Sequence, residues 1–152
     1  MAGIGTKLRG EVVSMAAKIL IIDDAPDFVY ALRTFLEGLG YEVVEAHDGE
    51  TGLEVLEREK PDLVLLDVIM PHKNGWETLS DIRSKPEYAD LPVVMLTALD
   101  EPHHLMEGYD RGCTDYFTKP IQDYDELALV IQRLLEVSKR MKQEKQEGVQ
   151  RQ

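Results

Sequence analysis

The chain has 152 residues, 43% of them apolar and 30% charged, which suits one domain with a real hydrophobic core and leaves little for a second. Its net charge is −12, unevenly spread: residues 19–138 carry −17, residues 1–18 carry +2 and residues 139–152 carry +3. So acidic a body repels nucleic-acid phosphates, the absence of a run of about 18 apolar residues excludes a membrane-spanning helix, and the single Cys113 excludes an internal disulfide.

Residues 1–17 hold three glycines and no strong period, and they read as a flexible leader. They lack the apolar core and small-residue cleavage site of a signal peptide, so a cytoplasmic protein is expected. Ile19-Leu20-Ile21-Ile22 is a continuous apolar run of the kind that forms a strand buried on both faces, and it ends in Asp23-Asp24. Pro26 opens a helix whose inner face is Phe28, Leu32, Phe35, Leu36 and Leu39, stopped by Gly38 and Gly40. Tyr41–Glu45 reads as a second strand, Asp48-Gly49 as a turn, and Leu53 and Leu56 as the inner face of a second helix that ends before Pro61. Leu63–Leu66 is another buried run and ends in Asp67. Trp76, Leu79 and Ile82 mark a third helix, Pro92–Leu96 a fourth strand ending at Thr97, and residues 101–110 a short fourth helix. Cys113, after a glycine in a turn, reads as a buried structural thiol. Asp115–Thr118 is a short fifth strand ending at Lys119-Pro120, and a long helix starts near Asp123.

Strand and helix thus alternate five times, and right-handed crossovers force such a chain into a doubly wound α/β fold, a five-stranded parallel sheet with helices on both faces. In that fold Asp23, Asp24, Asp67, Thr97 and Lys119 all fall at the carboxyl edge of the sheet, where such folds bind ligands. Three carboxylates at close range call for a cation, and oxygen ligands with open water positions suit Mg²⁺. A carboxylate can attack phosphorus to give an aspartyl phosphate, a lysine can pair with a phosphoryl oxygen, and a threonine can donate a hydrogen bond to another. Each residue alone has a plainer role: Asp24 as a helix N-cap, Thr97 as a hydroxyl closing a strand end, Lys119 as a surface charge, Tyr116 as core. Their conjunction favours phosphoryl chemistry at Asp67. His47, His72, His103 and His104 show no metal-binding spacing and read as surface residues.

From about Lys18 to about Val137 the sequence resembles the receiver domain of two-component response regulators, through IIDDAPD after the first strand, LVLLDVIMPHKNGWE around Asp67, VVMLTA at Thr97 and DYFTKP at Lys119. The resemblance implies a flavodoxin-like sheet with strand order 2-1-3-4-5. It implies Asp67 as phosphoacceptor, Mg²⁺ bound by Asp24, Asp67 and the backbone carbonyl of Ile69 with Asp23 acting mostly through water, and Thr97 and Lys119 on the phosphoryl group. Thr97 and Tyr116 would form the switch, Pro71 and Gly75 match the loop after the phosphoacceptor, and the Lys119-Pro120 bond would be cis. The donor would be a histidine kinase or phosphotransfer protein. Output would pass through the fourth helix, fifth strand and fifth helix to another protein, or the chain would act as a phosphate sink with no effector of its own.

The expected organisation is a leader at 1–17, a stand-alone receiver at 18–138 and a polar extension of the last helix at 139–152. Ile69 and Leu99 border the path of attacking water in such receivers; both are apolar here, which points to slow loss of the phosphoryl group. Leu127, Val130, Leu134, Val137 and Met141 step by three and four, so a homodimer through the last helix is conceivable, but packing of Leu127–Leu135 on the sheet with a frayed polar end is favoured. Two rival classes fit poorly. A phosphohydrolase of the haloacid-dehalogenase type wants an acid where Ile69 stands, and a flavodoxin-like phosphate binder wants Gly, Ser or Thr where IIDDAPD has acids.

Overall fold

The structure is a computed structural model that describes residues 7–8, 11–12, 16–98 and 110–151. Five parallel strands form one sheet: β1 (Lys18–Ile22), β2 (Glu42–Ala46), β3 (Leu63–Asp67), β4 (Val93–Thr97) and β5 (Asp115–Thr118). Their spatial order is β2-β1-β3-β4-β5, the doubly wound arrangement expected from the alternating pattern. Among the described residues, helices α1 (Pro26–Gly38), α2 (Gly49–Glu59), α3 (Gly75–Arg83) and a C-terminal helix (Tyr124–Arg151) surround it, with a 3₁₀ turn at Pro86–Tyr88. The expected helix at 101–110 lies, but for Asp110, outside the described residues, as do Leu99, His103 and His104. Lys7–Leu8 and Glu11–Val12, within the stretch read as a leader, form a small antiparallel pair apart from the sheet.

The three central strands show no polar alternation because both of their faces are covered. Leu20, Ile22, Val64, Leu66, Val93 and Met95 pack with Val55 and Leu56 of α2 and with Trp76, Leu79 and Ile82 of α3. Their neighbours Ile19, Ile21, Leu63, Leu65, Val94 and Leu96 point the other way, against Val29, Leu32 and Leu36 of α1 and Leu127 and Ile131 of the C-terminal helix. Every one of these strand residues is fully buried. The two-residue period of a strand thus sends alternate side chains into two separate cores, and each core needs its own helices.

Local chemistry sets the helix ends. Asp48, read as part of a turn, is the N-cap of α2; its carboxylate accepts from the Thr51 N–H at 2.8 Å, and Gly49 is the first helical residue. Asn74 and Glu77 form a reciprocal capping box at the start of α3. Asp123 accepts from the N–H groups of Asp125 and Glu126 at the start of the C-terminal helix. The second strand begins one residue later than the pattern indicated, because the Tyr41 N–H is taken by the Leu36 carbonyl at the end of α1.

Leu127 and Ile131 pack on the sheet as expected, and the backbone of the last helix is helical to Arg151. Beyond Val137 it is built mainly of Lys, Arg, Gln, Glu and Met, all good helix formers, and Lys145 reaches Asp90. Cys113 is buried and its thiol is pushed up to about 11, chiefly by loss of solvent, as suits a structural thiol. No helix among the described residues is long and apolar enough to cross a membrane.

Candidate functional site

The parallel register brings the ends of four strands to one rim. Asp23 directly follows β1, Asp67 is the last residue of β3, Thr97 the last of β4, and Lys119 directly follows β5. Asp67 stands opposite Leu96 and Thr97 opposite Thr118, so the β3, β4 and β5 ends are level to within a residue. The Lys119 N–H donates to the Thr97 carbonyl at 2.7 Å, extending that pairing past the strand and bringing the lysine stem over the rim. The Lys119-Pro120 peptide is cis, as the resemblance implied.

Asp23 and Thr97 are fully buried and Asp67 is 5% exposed, whereas Asp24 faces solvent. One oxygen from each of Asp23, Asp24 and Asp67 lies within 4.8 Å of the others. Lys119 Nζ is 3.0 Å from Asp23 Oδ2, a hydrogen-bonded pair, and 3.7 Å from Asp67 Oδ1, an electrostatic contact. The second oxygen of Asp23, Oδ1, accepts from the Ala25 N–H at 2.9 Å. Both oxygens of Asp23 are therefore engaged within the protein, while Asp24 opens onto water. Ala25, not Asp24, is the N-cap of α1, and it has no side-chain cap, so the plainer role for Asp24 falls away.

The Asp67 carboxyl is pushed up to about 6, first by loss of solvent and then by repulsion from Asp23 and, more weakly, Asp24; Lys119 and the Val68 N–H pull the other way. Without a cation the site thus carries more negative charge than it can comfortably hold. The carboxylate oxygens suit a hard divalent ion such as Mg²⁺, which keeps several of its own waters, and the exposed side at Asp24 leaves room for them.

The loop after Asp67 is folded tightly under the site. Val68 N–H donates to the Leu96 carbonyl at 3.1 Å, and Gly75 N–H returns to the Val68 carbonyl at 2.7 Å. A Cβ on Gly75 would lie 2.1 Å from the Asp67 carbonyl oxygen, so only glycine allows this closure. Ile69 projects from the loop, 57% exposed. Tyr116 on β5 is half-buried against the α2–α3 core, and its hydroxyl is out of solvent. Grooves of about 270 and 440 Å³ lie elsewhere, along the middle of the C-terminal helix.

The family model for the response regulator receiver domain matches residues 19–132. The chain belongs to the response regulator receiver family. It is 36% identical over 107 residues to the PilH protein of Pseudomonas aeruginosa, covering 70% of this chain and 88% of that one. It is 40% identical over 139 residues to PhoP of Bacillus subtilis, the alkaline phosphatase synthesis transcriptional regulatory protein, covering 88% of this chain but only 57% of PhoP. The solved chemotaxis protein CheY4 of Vibrio cholerae superposes with a TM-score of 0.74 at 31% identity, covering 78% of this chain and 98% of that one. Receivers of this family are phosphoacceptors in two-component signalling and bind Mg²⁺ at an acidic pocket, and Asp23, Asp24 and Asp67 form an acidic cluster here.

Sequence reasoning brought five of these side chains together and missed a sixth. The sequence places Phe28 only on the inner face of α1. Its ring lies under the Lys119 ammonium, with Nζ 4.3 Å from the ring centre. No local signal marks it, because an aromatic residue on an apolar helix face looks like any other core position. His47 and His72 are exposed, as expected.

Proposed function

We propose that Asp67 is the phosphoacceptor of this receiver and that its phosphorylation switches the binding of a partner protein. The observation that carries this is the burial of Asp67 beside a lysine that spans it and Asp23. A carboxylate held this way is poor at staying charged alone and well suited to a reaction that brings a cation and a phosphoryl group. In that reaction an Asp67 oxygen attacks phosphorus, a P–O bond forms, and the bond to the donor breaks with its electron pair leaving on the donor. From phosphohistidine the departing imidazole takes up a proton, and from an acyl phosphate a carboxylate departs.

Mg²⁺ would be held by Asp24, Asp67 and the Ile69 carbonyl, with Asp23 reached through water, and it would supply neutralisation of charge on the phosphoryl oxygens. The engagement of both Asp23 oxygens supports the indirect role. Lys119 pairs with one phosphoryl oxygen as a point charge, Thr97 donates its hydroxyl to another, and Thr97 and Tyr116 form the switch. Asp67 is modified once per signal, so the chain is a signalling phosphoacceptor and not a turnover enzyme. A histidine kinase or phosphotransfer protein in the cytoplasm is the donor, and the face of β5 and the C-terminal helix carries the output. The receiver occupies residues 18–138, with residues 139–152 as its polar extension.

Incubation with Mg²⁺ and acetyl phosphate, read by intact mass, tests this. Wild type gains one phosphoryl group and Asp67→Asn gains none. No gain by wild type with any donor, or an equal gain by the variant, overturns the assignment.

A further inference from the structure

Among the described residues the Lys119 ammonium has three charged or aromatic contacts: Asp23 Oδ2 at 3.0 Å, Asp67 Oδ1 at 3.7 Å, and the face of the Phe28 ring at 4.3 Å from its centre. Two are anions that the proposed reaction changes. Asp67 loses its charge to a covalent bond, and the field around Asp23 alters when a cation enters. The ring is the one of the three that chemistry leaves alone.

Phe28 sits in the first turn of α1, half-buried against the cluster that holds Val29, Leu32 and Leu36. Its ring is therefore anchored by a helix packed on the sheet, not by a loop. The face of an aromatic ring carries negative electrostatic potential and attracts an ammonium, the more so where water is scarce. The Lys119 side chain is only 18% exposed. A lysine stem is otherwise flexible and strongly hydrated at its tip, so it would swing to solvent once a carboxylate partner is taken from it.

We propose that Phe28 is a positioning residue for Lys119, a fixed apolar seat that holds the ammonium between Asp23 and Asp67 while its charged partners change. The proposal rests on Asp67 as phosphoacceptor. Phe28 touches no reacting atom and acts only through the lysine, which keeps the ring as it turns from Asp23 toward the phosphoryl oxygen. Removing the ring should leave the fold and the carboxylates in place and slow the step that needs the ammonium.

The test measures the rate of phosphorylation by acetyl phosphate at saturating Mg²⁺ for wild type, Phe28→Leu, Phe28→Tyr, Lys119→Gln and the double variant Phe28→Leu/Lys119→Gln. NMR of the Lys119 ε-methylene protons reads the ring contact without any chemistry. Phe28→Leu should be slower by roughly three- to tenfold, the span expected of a partly desolvated cation–π contact. Phe28→Tyr, which keeps the ring, should stay within about twofold of wild type on the same ground. In the Lys119→Gln background the Phe28 substitution should cost nothing more. The ε protons should be shifted upfield by the ring in wild type and return toward ordinary values in Phe28→Leu. A Phe28→Leu rate equal to wild type overturns the proposal, as does an equal loss in the Lys119→Gln background, which would mean packing alone. Absence of the upfield shift in wild type also overturns it. A wild type that takes up no phosphoryl group overturns the assignment of Asp67, and this proposal with it, even where the ring shift is seen.

Discussion

Replacing Asp67 with asparagine should stabilise the metal-free protein, and the reason is the position of its carboxyl. Burial and the neighbouring Asp23 and Asp24 push that carboxyl from an ordinary 3.8 to about 6. At about 1.36 kcal/mol for each tenfold change in proton affinity, a carboxyl moved from 3.8 to about 6 costs the folded state about 3 kcal/mol when ionised. The sign follows from proton counting. The folded carboxyl holds its proton to higher pH than the unfolded one, so between about pH 4 and pH 6 the native state binds more protons and stability falls as pH rises. Below that window both states are protonated and the cost is absent; above it the cost is complete.

Asparagine is nearly the same shape and never ionises. In chelator near pH 7.5, Asp67→Asn should therefore be more stable than wild type by up to about 3 kcal/mol, and the gap should shrink toward zero near pH 4. Urea denaturation followed by fluorescence of Trp76, the single tryptophan and a buried one, measures this directly. Magnesium should close much of the gap at neutral pH by binding the wild type, which gains about 2.7 kcal/mol when the ion is at a hundred times its dissociation constant. An Asp67→Asn protein less stable than wild type in chelator at neutral pH, or a gap indifferent to pH, would refute the reasoning.

Lys119→Met should act in the opposite direction, because it leaves the fully buried Asp23 without its cation; a loss of about 3 kcal/mol in the same urea assay is expected. Gly75→Ala should cost several times the ordinary glycine penalty of about 1 kcal/mol, since its Cβ would meet the Asp67 carbonyl at 2.1 Å, and a fall in thermal midpoint together with lost phosphoryl uptake would show it. Arg83→Leu frees the carbonyls of Tyr88 and Gly112, which its guanidinium bonds at 2.7 and 2.8 Å, and should speed amide hydrogen exchange at residues 111–114 with a stability loss of about 1–3 kcal/mol. The phosphorylated protein, purified from its donor, should keep its phosphoryl group for many minutes, because the exposed Ile69 cannot orient a water by hydrogen bonding; a lifetime of seconds would count against that reading.

The legible and the hidden parts of this protein divide along a physical line. The sheet was legible because Ile19–Ile22, Leu63–Leu66 and Val93–Leu96 are continuously apolar, and only a strand covered on both faces tolerates that. The site was legible because each run ends in a residue that no core would accept, and a parallel sheet must bring those ends to one edge. What stayed hidden depended on choices between near neighbours. Asp23 and Asp24 are adjacent and chemically alike, yet one is fully buried with both oxygens engaged and the other faces solvent. Asp48 looked like a turn residue because a glycine follows it, although the decisive partner was the Thr51 N–H three positions on.

The contact of Lys119 with Phe28 was hidden for a different reason, and that reason bears on how the site works. Strand-end residues come together by topology, so their order along the chain predicts their meeting. Phe28 lies in a helix, and its meeting with Lys119 depends on where α1 crosses the sheet and on how its first turn is angled there. That angle is set by Val29, Leu32 and Leu36 on the buried face. The same core that carries the sheet therefore also aims a ring at the lysine. If a phosphoryl group draws Lys119 away from Asp23, the Oδ1 bond to the Ala25 N–H still ties Asp23 to the start of α1. Asp23 is thus joined to α1 by one oxygen, Lys119 is joined to α1 by the ring, and the pair is joined to itself by the other oxygen. Asp23 directly follows β1 and the ring belongs to α1, so a change at Asp67 reaches a lysine held from both a strand end and a helix start.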